Sequence, residues 1–107
     1  MTRPALLDGE ARDRALSELA AMGWTHDPVR DAVSRHFRFR DFSDAFGWMT
    51  RVALEAEKLD HHPEWFNVWN RVDAVLTTHD VAGLTDLDLK LARAMTRLAG
   101  QVVPPAP

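Results

Sequence analysis

Residues 57–88 read EKLDHHPEWFNVWNRVDAVLTTHDVAGLTDLD, and this stretch decides the fold. It holds the end of one helix, a run of period-two alternation and the start of another helix. Pro63 cannot continue a helix and biases the residue before it away from the α region, so the helix upstream should end close to Asp60. From Trp65 to Thr78 apolar and polar side chains alternate. On one continuous strand, Val68, Val72, Ala74 and Leu76 face the helices, while Trp69, Arg71, Asp73, Val75, Thr77 and His79 face away. A bend or tight turn near Asn70 would make two strands of the same stretch, and the alternation fits both readings. Thr85-Asp86-Leu87-Asp88 is a capping box with Asp in place of the usual Glu, and Leu84 and Leu89 take the staple positions around it.

Working outward, Leu87, Leu91, Ala94, Met95 and Leu98 continue as the buried stripe of that last helix, which Gly100 ends. Upstream, a helix begins at Asp41 or Ser43. Phe42, Phe46, Met49, Ala53 and Ala56 recur along it at helical spacing, and Ala45, Val52 and Leu59 widen the stripe. Asp44 in its first turn suits the helix dipole. Before it, Val33 to Arg40 alternates, with Val33, Arg35, Phe37 and Phe39 on one face and His36, Arg38 and Arg40 on the other. A short strand from Trp24 to about His26 precedes Pro28. A first helix runs from near Asp8 to about Met22, with Ala15, Leu19 and Met22 inward and Gly23 as terminator. The order is α-β-β-α-β-β-α, or the same with the last two strands fused. Hairpin-like strands and helices on one face describe an antiparallel α+β sandwich.

The chain has 107 residues, which suits one domain with one modest core over residues 1–101. Residues 102–107 carry three prolines and are expected to be a disordered tail. The net charge of −3 steers the chain towards neither nucleic acid nor anionic lipid. No stretch reaches the roughly 20 apolar residues of a membrane span, and the start lacks a signal-peptide core. There is no cysteine, so disulfides and thiolate chemistry are excluded, and a cytoplasmic location is expected.

The chemistry-bearing residues concentrate in the opening stretch. Histidine is the side chain whose ordinary pKa lies nearest neutrality, so a site with several can offer one imidazole as base and another as acid. His61 and His62 fall just past a helix end, in irregular backbone where sites are often built. His26 and His36 lie on strands among charged residues and read as solvated positions. Trp65, Phe66 and Trp69 offer a wall for a flat heterocycle, or core aromatics. Asp88 has a capping duty without any substrate. Glu57 and Asp60 are helix-end acids of the kind that orient an imidazole. A zinc site on His61, His62 and His79 is disfavoured, because adjacent residues point apart and rarely chelate one ion. No Gly-rich phosphate loop or Ser/His/Asp pattern is present.

The spacing Glu57-x3-His61-His62-Pro63-x5-Trp69-x9-His79-x8-Asp88 resembles the signature of the pterin-4a-carbinolamine dehydratases. Residues 51–72 and 77–85 are similar to that family too, and the resemblance spans about Gly23 to Leu98. It implies a four-stranded antiparallel sheet with three helices on one face, in a homodimer or homotetramer. It also implies dehydration of 4a-hydroxytetrahydropterin without metal or cofactor, in recycling of the pterin used by aromatic amino acid hydroxylases. His61 and His79 carry over as acid/base candidates and His62 as a substrate-holding residue. Glu57, Asp60, Pro63, Trp65, Trp69 and Asp88 carry over as supporting residues, although the family more often has tyrosine at position 69. Relatives on this fold also act as dimerization cofactors for a transcription factor or as Rubisco assembly factors. Such assembly relatives are expected to lose part of the motif, so its intact histidines favour the enzyme.

Overall fold

A computed structural model describes residues 4–105. Helix α1 spans Gly9–Ala21, strand β1 Thr25–Asp27 and strand β2 Ala32–Arg38. Helix α2 spans Phe42–Leu59, strands β3 and β4 span Glu64–Val68 and Arg71–Leu76, and helix α3 spans Asp86–Ala99. A single 3₁₀ turn, His79–Val81, joins β4 to α3. The strands form one antiparallel sheet in the order β1-β2-β4-β3. The architecture is therefore the expected α-β-β-α-β-β-α sandwich. The boundaries follow local chemistry. Asp41 caps α2 by accepting from the Asp44 N–H at 2.8 Å, and Thr85 opens α3 with a complete capping box.

The alternation between Trp65 and Thr78 resolves into two strands. Trp69 takes a left-handed φ of 48° and the chain reverses over Trp69-Asn70. Asn70 is buried, and its side-chain amide donates to the Phe39 carbonyl at 2.9 Å while the Phe39 N–H donates to the Asn70 carbonyl at 2.8 Å. This pair ties the hairpin tip to the end of β2. The reversal also changes the face of Val68. It lies directly opposite Arg71, and cross-strand partners share a face. Val68 therefore points outward with Arg71, not inward with Val72, Ala74 and Leu76 as a continuous strand would place it.

The core lies between the inner sheet face and the helices. Val33, Phe37, Phe39, Val72, Ala74 and Leu76 meet Leu19, Val52, Leu91 and Met95 there. At its centre is Trp48, fully buried, with ring centroids 4.4 Å from Phe37 and 5.0 Å from Phe39. Its indole N–H donates to the Met95 carbonyl of α3 at 3.1 Å. The inward face of α2 is thus Ala45, Trp48, Val52 and Ala56. The stripe expected through Phe42 and Phe46 is displaced towards solvent, with these rings 47% and 55% exposed. Apolar residues cover much of the circumference of α2, so periodicity alone does not choose the inward arc. The indole does, because its buried N–H requires an acceptor. At the C-terminus, Val102 packs partly buried against the core, and the last two residues of the expected tail lie outside the described residues.

Replacing Trp48 with Ala should destabilise the protein by about 3–5 kcal/mol, as for other buried aromatics. Phe46→Ala in the monomeric unit should cost under about 1 kcal/mol. Urea unfolding of the two variants checks the assignment, and equal losses would place Phe46 in the core.

Candidate active site

The site begins at the end of α2. Asp60 takes the left-handed conformation, with φ 49° and ψ 43°. Its N–H donates to the Glu57 carbonyl at 3.1 Å, and the His61 N–H donates to the Ala56 carbonyl at 3.0 Å. These are the two bonds of a Schellman ending, with Asp where glycine is usual. Aspartate tolerates this backbone better than most side chains. The reversal turns His61 back towards α3, where its side chain is nearly buried.

There His61 Nε2 lies 2.6 Å from Asp88 Oδ1. Asp88 is 1% exposed and its other oxygen is also committed. Oδ2 accepts the Thr85 N–H at 2.9 Å and the Thr78 hydroxyl at 2.7 Å. Since the Thr78 hydroxyl has one proton, the Thr85 hydroxyl 2.8 Å away donates to Thr78. One carboxylate thus joins the start of α3, the loop after β4 and the ring beyond α2. With Asp88 accepting, His61 donates from Nε2, which leaves Nδ1 as its second nitrogen.

The other two motif histidines repeat the arrangement nearer the surface. His62 Nε2 contacts Glu57 Oε1 one helical turn back, the carboxylate–imidazole pairing expected of a helix-end acid. His79 Nε2 lies 2.8 Å from Glu64 Oε2. Glu64 also accepts from both terminal guanidinium nitrogens of Arg30, one at 2.9 Å. Arg30 first, and then His79, hold its carboxyl down at about 2. His61, His62 and His79 open on a cleft of about 240 Å³, shared with Asp60, Thr77, Thr78 and Asp80.

The loop carrying His79 is clamped from below. Asp31, at the end of the β1–β2 turn, receives Arg12 through both carboxylate oxygens at 2.7 and 3.2 Å and the Leu84 N–H at 3.1 Å. Its carbonyl accepts the Thr77 hydroxyl at 3.0 Å. The Arg12 guanidinium holds the Asp31 carboxyl well below its ordinary range. A Cβ at Gly83 would lie 2.5 Å from Asp31 Oδ2, so a larger residue would push that carboxylate off its partners.

The structure gathers His61, His62, His79 and Asp60 on the cleft. Glu57 and Asp88 sit behind two of the rings, and Pro63 follows the pair where the helix has ended. Trp65 and Trp69 do not line the cleft. Trp65 is half-buried against the core, 6.2 Å from Trp48, and Trp69 is exposed at the hairpin tip. Thr77, Thr78, Glu64 and Arg30 are contributors that the sequence reading passed over. Asp80 beside His79 belongs with them. Glu64, directly after the His-His-Pro run, and Thr77, Thr78 and Asp80, flanking His79, carried a local signal, whereas Arg30 carried none. Among the described residues, no three or more His, Asp or Glu side chains are grouped to hold a metal ion.

A small α+β sandwich with carboxylate-paired imidazoles around one cleft is a framework for proton transfer. The Pterin 4 alpha carbinolamine dehydratase family profile matches residues 5–98, and the chain belongs to that family. Two relatives bear the name "Putative pterin-4-alpha-carbinolamine dehydratase". One, from Bradyrhizobium sp. strain BTAi1, is 57% identical over 96 residues, covering 90% of this chain and 95% of that protein. The other, from Jannaschia sp. strain CCS1, is 54% identical over 93 residues, covering 87% and 95%. A crystal structure named as a transcriptional coactivator/pterin dehydratase from Brucella melitensis superposes with a TM-score of 0.82 at 51% identity, covering 90% of this chain and all of that one.

Asp88→Ala should cost about 2–4 kcal/mol, more than the ~1 kcal/mol of a lost cap, because it strands the buried donors of Thr85, Thr78 and His61. Thermal unfolding checks this, and a loss confined to about 1 kcal/mol would reduce Asp88 to its capping role.

Proposed function

We propose that this protein dehydrates 4a-hydroxytetrahydropterin to quinonoid dihydropterin and water by histidine acid/base catalysis. One observation carries the reading: three imidazoles share one cleft, each with a carboxylate on Nε2. The reaction removes a proton from a ring nitrogen while the C4a–O bond breaks and the hydroxyl leaves protonated, as water. It transfers protons at two atoms and changes no oxidation state. Two correctly protonated imidazoles supply such a reaction, each worth about 10²–10⁴-fold.

In this reading His61 and His79 are the acid/base pair and His62 holds the substrate. Glu57 and Asp88 fix their rings, and Asp60 borders the same space. Trp65 and Trp69 lie outside the cleft lining, and their supporting role rests on the motif spacing alone. The names of the relatives support the substrate class. The cysteine-free composition agrees with work in the cytoplasm, and no helix among the described residues is long and apolar enough to cross a membrane.

A second reading, partner binding, has its own observation. Phe42 and Phe46 lie 5.7 Å apart on the outer side of α2, and Leu54 is exposed on the same helix. Residues 35–38 of β2 pair with β4 on one side only, because β1 pairs just with residues 32–34. Apolar rings and an unpaired strand edge support self-association. Light scattering should show a homo-oligomer whose mass falls in Phe46→Asp. A monomer at micromolar concentration would remove this surface from consideration.

The decisive assay is dehydration of 4a-hydroxytetrahydropterin by purified protein. The wild type should accelerate it, and His61→Ala should lose about two orders of magnitude or more. An unchanged rate in the variant would take His61 out of the mechanism. No acceleration by folded wild type would overturn the dehydratase reading in favour of partner binding.

A further inference from the structure

We propose that Glu64, clamped by Arg30, is a positioning residue that fixes the ring orientation and tautomer of His79. The inference rests on His79 being one of the acid/base groups of the proposed reaction.

The three imidazoles are not held alike. His61 is packed against α3 and has its orientation set by burial together with the Asp88 carboxylate. His79 begins a single 3₁₀ turn, and its side chain is 70% exposed. A ring that exposed is held less by packing than a buried one. A ring in that situation needs a polar partner to define it, and its hydrogen-bond partner is Glu64 Oε2 at 2.8 Å.

Glu64 is built to serve as that partner. It is the first residue of β3 and lies opposite Val75 in the ladder, so its backbone is fixed by the sheet. Its carboxylate is fixed in turn by the fork of Arg30. A bidentate arginine holds both oxygens in one plane, which a single point charge cannot do. The low carboxyl pKa, about 2, keeps Glu64 an acceptor throughout the neutral range. The proton between the two groups therefore belongs to His79 Nε2, and Nδ1 is left as the free nitrogen of a neutral ring.

Arg30 in turn is placed by its neighbour. Asp31, in the left-handed region at φ 52°, anchors the same turn through Arg12, His26 and the Leu84 N–H. The β1–β2 turn therefore reaches the His79 loop twice. Asp31 holds that loop at the Thr77 hydroxyl and the Leu84 N–H, and Arg30 holds its imidazole through Glu64. A substrate proton would then meet the same nitrogen of His79 in every molecule. Misplacement of a catalytic group by even an ångström is costly, on the order of 10²-fold.

The test combines ring NMR with kinetics on the full chain. Long-range ¹H–¹⁵N correlation of His79 should show a single Nε2–H tautomer in the neutral wild-type ring. Glu64→Ala and Arg30→Ala should give mixtures of both tautomers. Glu64→Gln, which keeps an oxygen acceptor, should restore most of the wild-type pattern. In the dehydration assay Glu64→Ala should lower kcat about tenfold or more with KM within about twofold. A single, unchanged His79 tautomer in folded Glu64→Ala and Arg30→Ala would overturn the proposal, whatever the rates. A tautomer mixture in the variants, with a wild type that fails to accelerate dehydration, would uphold the positioning of His79 and overturn the dehydratase reading alone.

Discussion

The buried carboxylate of Asp88 is the interaction on which the site depends. It closes the capping box of α3, receives the Thr78 hydroxyl from the loop after β4 and holds His61 beyond α2. Its own cap, the loop ten residues back and the ring 27 residues back converge on its two oxygens. A buried carboxylate is costly unless hydrogen-bonded throughout, and here the bonds that satisfy it are also those that place the imidazole. Stability and geometry are therefore coupled at this point. Asp88 cannot be treated as a cap that happens to lie near a site, or as a site residue that happens to cap.

Around that anchor the backbone is repeatedly strained. Asp31, Asp60 and Ala82 all occupy the left-handed region, with φ between 49° and 52°. Each such residue costs roughly 1–2 kcal/mol relative to ordinary helical backbone. Asp60 directs His61 and His62, Ala82 closes the 3₁₀ turn that begins with His79, and Asp31 grips the loop that contains both. The strain is held by the ladder beneath and by the Arg12–Asp31 pair. Asp60 and Ala82 lie in the segments that carry the imidazoles, where pre-set orientation is most useful, while Asp31 and Trp69 lie in the two hairpin turns.

Much of this was legible locally. Pro63 and the preceding apolar period place the end of α2 at Asp60, and the structure ends the helix at Leu59 with Asp60 as cap. Thr85 to Asp88 announces α3 with its box. The pairing of a helix-end acid with an imidazole is also foreshadowed, since Glu57 and His62 are close in sequence. Other features were not legible. The inward arc of α2 depends on where the Trp48 N–H finds the Met95 carbonyl, 47 residues away. The outward turn of Val68 depends on a reversal at Trp69-Asn70 whose only local hint is one asparagine. Glu64 and Arg30 are 34 residues apart, and no periodicity links them.

By itself, the sequence determined what short-range physics controls: element type, helix ends, the two-faced alternation of the sheet, and the residue types able to move protons near neutral pH. These depend on sterics and hydrogen bonds within a few residues, so they are written in spacing. The tertiary structure alone decided which side chains meet. It put Asp88 behind His61, Glu64 behind His79 and Arg30 behind Glu64, while leaving both Trp65 and Trp69 outside the cleft. Those choices come from packing the helices onto one sheet face. Any one pairing there depends on the register of β3 on β4 and of β2 on β4, as well as on its own two residues.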